Sequence, residues 1–264
     1  MERERVNFKA FIFDLDGTIY LGERLIRGAD EVVQKLRDGG GRVVFLSNKP
    51  LDTREAYAAK LARLGIPAAP EDVINSSFVA TRYLLGRMPG ARLHVIGEPP
   101  FLEELRRAGF ATARTPEETD AVVIAFDRTL DYGKLHFAHL AVRRRGAVMI
   151  ATNPDAFCPA DDDELPDAGG TIALLEATTG RRVEVVVGKP SPIMTEAILN
   201  HVAVPASACL MVGDRVETDI RMGHDAGMGT ALVLTGATTR EQAGASDVRA
   251  DYVLESVRDL LHKI

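Results

Sequence analysis

Short runs of consecutive apolar residues alternate along the chain with stretches whose apolar positions recur every three or four residues. Nine runs read as strands: "AFIFD" (10–14), "RVVFLS" (42–47), "RLHVIG" (92–97), "DAVVIAF" (120–126), "AVMIAT" (147–152), "EVVVG" (184–188), "CLMVGD" (209–214), "TALVLT" (230–235) and "ADYVLE" (250–255). Most lack polar residues at alternate positions, the pattern of parallel strands covered on both faces. Between them, "ADEVVQKLRDGG" and "TREAYAAKLARLG" place apolar side chains at helical spacing and stop at glycine. "PPFLEELRRAG" and "SPIMTEAILNHV" do the same with proline in the first turn. Strand and helix in alternation predict an α/β protein with a doubly wound, parallel, Rossmann-like core.

Open α/β sheets collect ligand chemistry at the carboxyl ends of their strands. The first strand ends in Asp14, with Asp16 two residues on, ahead of Gly17 and Thr18. The second ends in Ser47 and Asn48, "EVVVG" runs into Lys189, and "CLMVG" runs into Asp214 with Asp219 beyond it. The middle strands end differently, in "GEPP", "FDRT" and "TNPD". The chemistry therefore lies toward the two ends of the sequence. Residues 1–78 and 183–264 read as a catalytic core, and residues 79–182 as an inserted α/β domain. Close carboxylates such as Asp14, Asp16 and Asp214 cannot all stay ionised without positive charge among them. Few, hard oxygen ligands suit Mg²⁺. Lys189 and the Ser47 hydroxyl suit the oxygens of a phosphoryl group instead. Gly17 lets the backbone turn sharply after Asp16, so the two neighbouring aspartates can take different roles.

Composition narrows the partners. A formal charge of −6 on 264 residues gives no electrostatic reason to expect nucleic acid, whose binders usually carry a basic face. No apolar run approaches membrane-spanning length, and the charged start "MERERVNFKAFIF" does not read as a signal peptide. Two widely separated cysteines, Cys158 and Cys209, suit a reducing compartment. A soluble, cytoplasmic protein without nucleic-acid or membrane partners is expected. "VGKPS" fails as a P-loop, with Val183 five before Gly188 and Pro190 after the lysine. "GMGTAL" fails as a dinucleotide fingerprint, with Leu232 at the third glycine position. His136 and His139 read as a helix face and Arg143 to Arg145 as a solvated helix end.

"DLDGT" at Asp14, "LSN" at Ser47, "GKPSP" at Lys189 and "GDRVETDI" at Asp214 resemble the four ordered motifs of the haloacid dehalogenase superfamily. "VIGEPPFLEEL", "FDRTLDYGKL", "ATNPD" and "EATTGR" resemble the large α/β cap, C2 type, of its subfamily IIA. That subfamily includes NagD-like nucleotide phosphatases and phosphatases of sugar phosphates, nitrophenyl phosphate and pyridoxal phosphate. The resemblance implies Mg²⁺-dependent hydrolysis of a small phosphate ester through an aspartyl-phosphate. Asp14 would be the nucleophile and Asp16 the proton donor and acceptor. Asp14, the Asp16 carbonyl and Asp214 would hold the metal. Ser47, Lys189 and the Asn48 backbone amide would bind phosphate, with Asp219, Gly17 and Thr18 in support. It also places a substrate-specificity loop at 153–170, with Asp155, Phe157, Asp161, Asp162, Asp163 and Glu164 as candidate contacts. Its acids would disfavour a second anionic group and favour hydroxyl-rich substrates. Cap contacts in relatives can also mediate a homodimer. The alternatives are a phosphomutase, a metal-free dehalogenase and a phospho-accepting signalling module. A dehalogenase has little use for Asp16 and Asp214, and a signalling module needs no cap.

Overall fold

All five residues of Ala10–Asp14 are buried, which demands cover on both faces and partners on both edges. Cys209–Gly213 lies along one edge and Arg42–Ser47 along the other, both parallel, with Phe13 opposite Val212 and Phe45. Among the described residues the sheet runs Tyr252–Leu254, Gly229–Val233, Cys209–Gly213, Ala10–Asp14, Arg42–Ser47, Val73–Asn75. The chain thus winds outward from Ala10–Asp14 in both directions, and the winding reverses between that strand and Cys209–Gly213. A doubly wound sheet opens its ligand crevice at such a reversal. Asp14 and Asp214 leave their strands on either side of it.

The cover on this sheet follows from helix periodicity. In Ala29–Asp38 the buried residues are Ala29, Val32, Val33 and Leu36, one stripe of a 3.6-residue repeat. Asp30 and Glu31 in its first turn and Lys35 and Arg37 in its last complement the helix dipole. The stripe packs with Phe11, Phe13 and Phe45 in one apolar cluster.

A second sheet, of five parallel strands, runs Val185–Val186, Val148–Ala151, Ala121–Ile124, Arg92–Ile96, Ala111–Thr112. Short pieces without readable periodicity complete the strands among the described residues: Val73–Asn75, Ala111–Thr112, the paired Tyr20–Leu21 with Arg24–Leu25, and the paired Phe157–Pro159 with Glu164–Pro166. The protein is doubly wound α/β in both sheets. The computed structural model describes residues 8–159 and 164–263. Among them, no helix is long and apolar enough to cross a membrane.

Packing divides the chain into two compact units. The first takes in the chain up to Ser47, Arg54–Ile74 and the chain from Met194 onward; the second is Asn48–Thr53 with Asn75–Ile193. These limits differ from those drawn on the sequence at 78 and 183. Residues 183–193 pack with the middle of the chain because Val185–Val186 hydrogen-bonds to Val148–Ala151. Asn48 joins the same unit through its bonds to Lys189 and Asn153.

Candidate active site

In the first unit, the buried strand delivers Asp14 and the chain then folds back on itself. The Leu15 carbonyl accepts from the N–H groups of Thr18, Ile19 and Tyr20 at 3.3, 2.9 and 3.1 Å, and the Gly17 N–H donates to the Tyr20 carbonyl at 2.8 Å. Gly17 sits at φ +82°, which a side chain would strain. Asp14 is buried and Asp16 half-buried. Thr18 is fully buried, its hydroxyl without a partner among the described residues.

Asp14, Asp214 and Asp219 converge, each offering a carboxylate oxygen, all within 4.8 Å of one another. All three are buried, Asp219 completely. The Ala237 N–H donates to Asp214 Oδ2 at 2.6 Å, and the Arg215 N–H to Asp219 Oδ2 at 3.1 Å. Glycines let the backbone come this close: a Cβ on Gly17 would lie 2.6 Å from Asp214 Oδ2, and one on Gly236 would collide with the same carboxylate. Three buried carboxylates repel one another and can only accept, so the donor set fits a hard divalent cation. Asp219, expected in support, stands in this trio, and the Asp16 carboxylate does not.

In the second unit, Asn48 and Lys189 are both buried and lock together. The Lys189 N–H donates to Asn48 Oδ1 at 2.8 Å, and Asn48 Nδ2 donates to the Lys189 carbonyl at 3.2 Å and to Asp155 Oδ2 at 3.1 Å. The Asn48 carbonyl in turn accepts from Ser76 Oγ at 2.6 Å and Asn153 Nδ2 at 3.2 Å. Sequence reasoning assigned Asn48 only its backbone amide; its side chain grips the lysine backbone as well. Ser47 is buried at the end of its strand in the first unit.

The loop expected to set specificity is only partly described. Asp155 is half-buried on Asn48, Phe157 is 40% exposed, and Glu164 is exposed where Glu164–Pro166 pairs with Phe157–Pro159. Asp161, Asp162 and Asp163 lie outside the described residues.

Asn153 and Asp167 were not singled out from sequence. Both are buried, with Asn153 Nδ2 3.4 Å from Asp167 Oδ1. Asp167 caps the helix Ala168–Thr179 through the Ala168 N–H. Burial pushes its carboxyl up to about 6; Asp155 adds to the rise, while the cap hydrogen bond, Asn153 and Lys49 oppose it. A carboxyl whose pKa rises on folding holds its proton more tightly in the native state. Its contribution to stability is therefore fully present below its unfolded value near 4 and is lost as pH climbs through about 6. Asp167→Asn keeps the capping oxygen without the charge. It is expected to match the wild type at pH 4 and to exceed it by roughly 2 kcal/mol above pH 7. Denaturant melts across that range check this; a constant difference would exclude burial of the charge as the cause.

Residues 11–111 match the family model described as haloacid dehalogenase-like hydrolase, and residues 186–260 match a second, HAD-hydrolase-like model. The sugar-phosphatase AraL of Bacillus subtilis is 39% identical, over 94% of this chain and 90% of its own. The crystal structure of a 4-nitrophenylphosphatase from Thermotoga maritima superposes with a TM-score of 0.93 at 33% identity, covering 99% of both chains. A glycerol phosphate phosphatase from Mycobacterium tuberculosis, in complex with magnesium, gives 0.88 at 31% identity, over 96% of this chain and 76% of that one. The chain belongs to the haloacid dehalogenase-like hydrolases. Within them it falls in subfamily IIA.

Proposed function

We propose that the chain hydrolyses small-metabolite phosphomonoesters, with Asp14 as the attacking group. The observation that carries this reading is the buried trio Asp14, Asp214 and Asp219 at the point where the parallel sheet reverses its winding. An Asp14 oxygen attacks phosphorus and the ester oxygen leaves with a proton from Asp16, giving an aspartyl-phosphate. Asp16, now anionic, takes a proton from water, whose oxygen attacks the same phosphorus and returns Asp14 and free phosphate. Ser47, the Asn48 amide and Lys189 hold the phosphoryl oxygens. Asp14, Asp214 and Asp219, with the Asp16 carbonyl, would hold Mg²⁺, the ion in the glycerol phosphate phosphatase structure. Bound there, it offsets the repulsion between carboxylate and phosphate.

The substrate we infer is hydroxyl-rich, a sugar or polyol phosphate. The acids Asp155 and Glu164 on the loop support this, as does the similarity to a sugar-phosphatase. Residues 79–182 would serve as the cap that selects it, in a soluble cytoplasmic enzyme that can pair into a homodimer. That both cysteines are buried and neither is joined in a disulfide among the described residues supports that compartment. The test is phosphate release from nitrophenyl phosphate, nucleotides, sugar phosphates, glycerol phosphate, phosphoglycolate and pyridoxal phosphate. Metal-dependent release led by a sugar phosphate is expected. A preference for phosphoglycolate would sink the substrate class, and no release from any ester would sink the hydrolase.

A further inference from the structure

Four strands of the second unit end side by side. In sheet order they are Val185–Val186, Val148–Ala151, Ala121–Ile124 and Arg92–Ile96, all parallel. The ladder continues one bond past them, from Val187 N–H to the Ala151 carbonyl, Thr152 N–H to Ile124 and Ala125 N–H to Ile96, so the ends stay in line. Beyond them come Lys189, Asn153 to Asp155, Arg128 and Glu98, in that order along one edge. Neighbouring strands lie ~4.8 Å apart, so the strands that lead into Lys189 and Arg128 are separated by about 10 Å, with Asp155 past the end of the strand between them.

Arg128 is held rigidly at this edge. Its Nε and Nη2 each donate to the Glu98 carboxylate at 2.7 Å, and its backbone N–H donates to Glu98 Oε1 at 3.0 Å. Glu98 is buried, whereas the Arg128 side chain is 53% exposed. A fork bound through one edge to a buried carboxylate presents its other edge outward. Nη1 donates to no acceptor among the described residues. Asp52, four residues past Asn48, also lies within electrostatic reach of Arg128. With Glu98 and Asp52 beside it, the guanidinium has its charge matched, so a neutral oxygen suits it better than a second anion.

We propose that Arg128 is a specificity-determining residue, receiving an oxygen acceptor at the far end of the substrate, two strands along the sheet edge from the phosphate on Lys189. This rests on the phosphatase reading and sharpens its substrate class. Ammonium, carboxylate and guanidinium edge in sequence match phosphate, hydroxyl and oxygen acceptor, the order along a phosphorylated sugar. Phosphoglycolate and glycerol phosphate are too short to engage both ends. An unsubstituted aromatic ring offers nothing to either Asp155 or Arg128.

The experiment compares kcat/KM for a hexose 6-phosphate and a nucleoside 5′-monophosphate with that for phenyl phosphate, in wild type, Arg128→Ala and Arg128→Ala/Glu98→Ala. The double variant removes the buried acid that the single one leaves unpaired. The hexose-to-phenyl ratio is expected to fall roughly 10- to 100-fold in both variants, mainly through KM, the scale of a hydrogen bond to a charged group. A nucleotide-to-phenyl ratio falling alone would move the far group from sugar to base and overturn the sugar assignment. Ratios within twofold of wild type, or equal losses on all three esters, would reduce Arg128 to a structural tie and overturn the proposal. Failure of the phosphatase reading looks different: wild type itself releases no phosphate from any ester.

Discussion

Asp14→Asn is expected to cut phosphate release about ten-thousandfold or more while leaving the protein folded. An amide oxygen is a poor nucleophile, and a neutral side chain cannot carry the phosphoryl group onward as a mixed anhydride. Stability should not fall with activity. Asparagine has the size of aspartate, and the strand that presents it is paired on both sides. The substitution also removes one of three carboxylates held within 4.8 Å of one another. Like charges so placed repel, so the metal-free melting temperature should stay level or rise. Release of phosphate and thermal melting, run on the same preparations, check both halves. Residual turnover above about one per cent of wild type would take the nucleophile's role away from Asp14. Asp16→Asn provides the contrast. Its loss should be severe on sugar phosphates and milder on nitrophenyl phosphate, whose leaving group needs less help from an acid.

Removing divalent metal is the second large effect. Chelation is expected to lower turnover about a thousandfold, since an anionic nucleophile must otherwise approach an anionic phosphate. The same trio predicts a signal that needs no turnover. An ion that binds only the folded protein stabilises it by about 2.7 kcal/mol at a hundred times its dissociation constant, enough to move a melt by several degrees. Mg²⁺ should therefore raise the melting temperature of the wild type and leave that of Asp214→Asn almost unmoved. Glu103→Gln, on an exposed helical surface, should keep the full rise. Phosphate release that survives chelation, with a melt indifferent to Mg²⁺, would remove the metal from this site.

Much of the proposed site was readable because its groups sit where strands end, and strand ends are local features. Asp14, Ser47, Lys189 and Asp214 each follow an apolar run that declares itself within a few residues. Asp219 was harder. It lies in the helical turn Val216–Ile220, where a carboxylate can equally be a helix-start acid. Only the turn that buries it beside Asp214 brings it into the trio. Asn153 and Asp167 carry no periodic signal, since they belong to a loop and a helix cap and matter through what they touch. Glu98 and Arg128 stood in the plain words "GEPP" and "FDRT"; adjacency of their strands makes them a pair.

By itself the sequence determined the alternation of strand and helix, the parallel burial of the strands and the chemistry waiting at their ends. Those follow from side-chain periodicity and turn residues, which act over a few positions. The tertiary structure alone decided which ends meet. Asn48 and Lys189 are 141 positions apart and bond through side chain and backbone because residues 183–193 pack with the second unit. Asp14 and Asp214 stand together because Ala10–Asp14 pairs with Cys209–Gly213 at the reversal of the sheet. Sheet order is a choice among whole-chain packings, so no window of a few residues contains it.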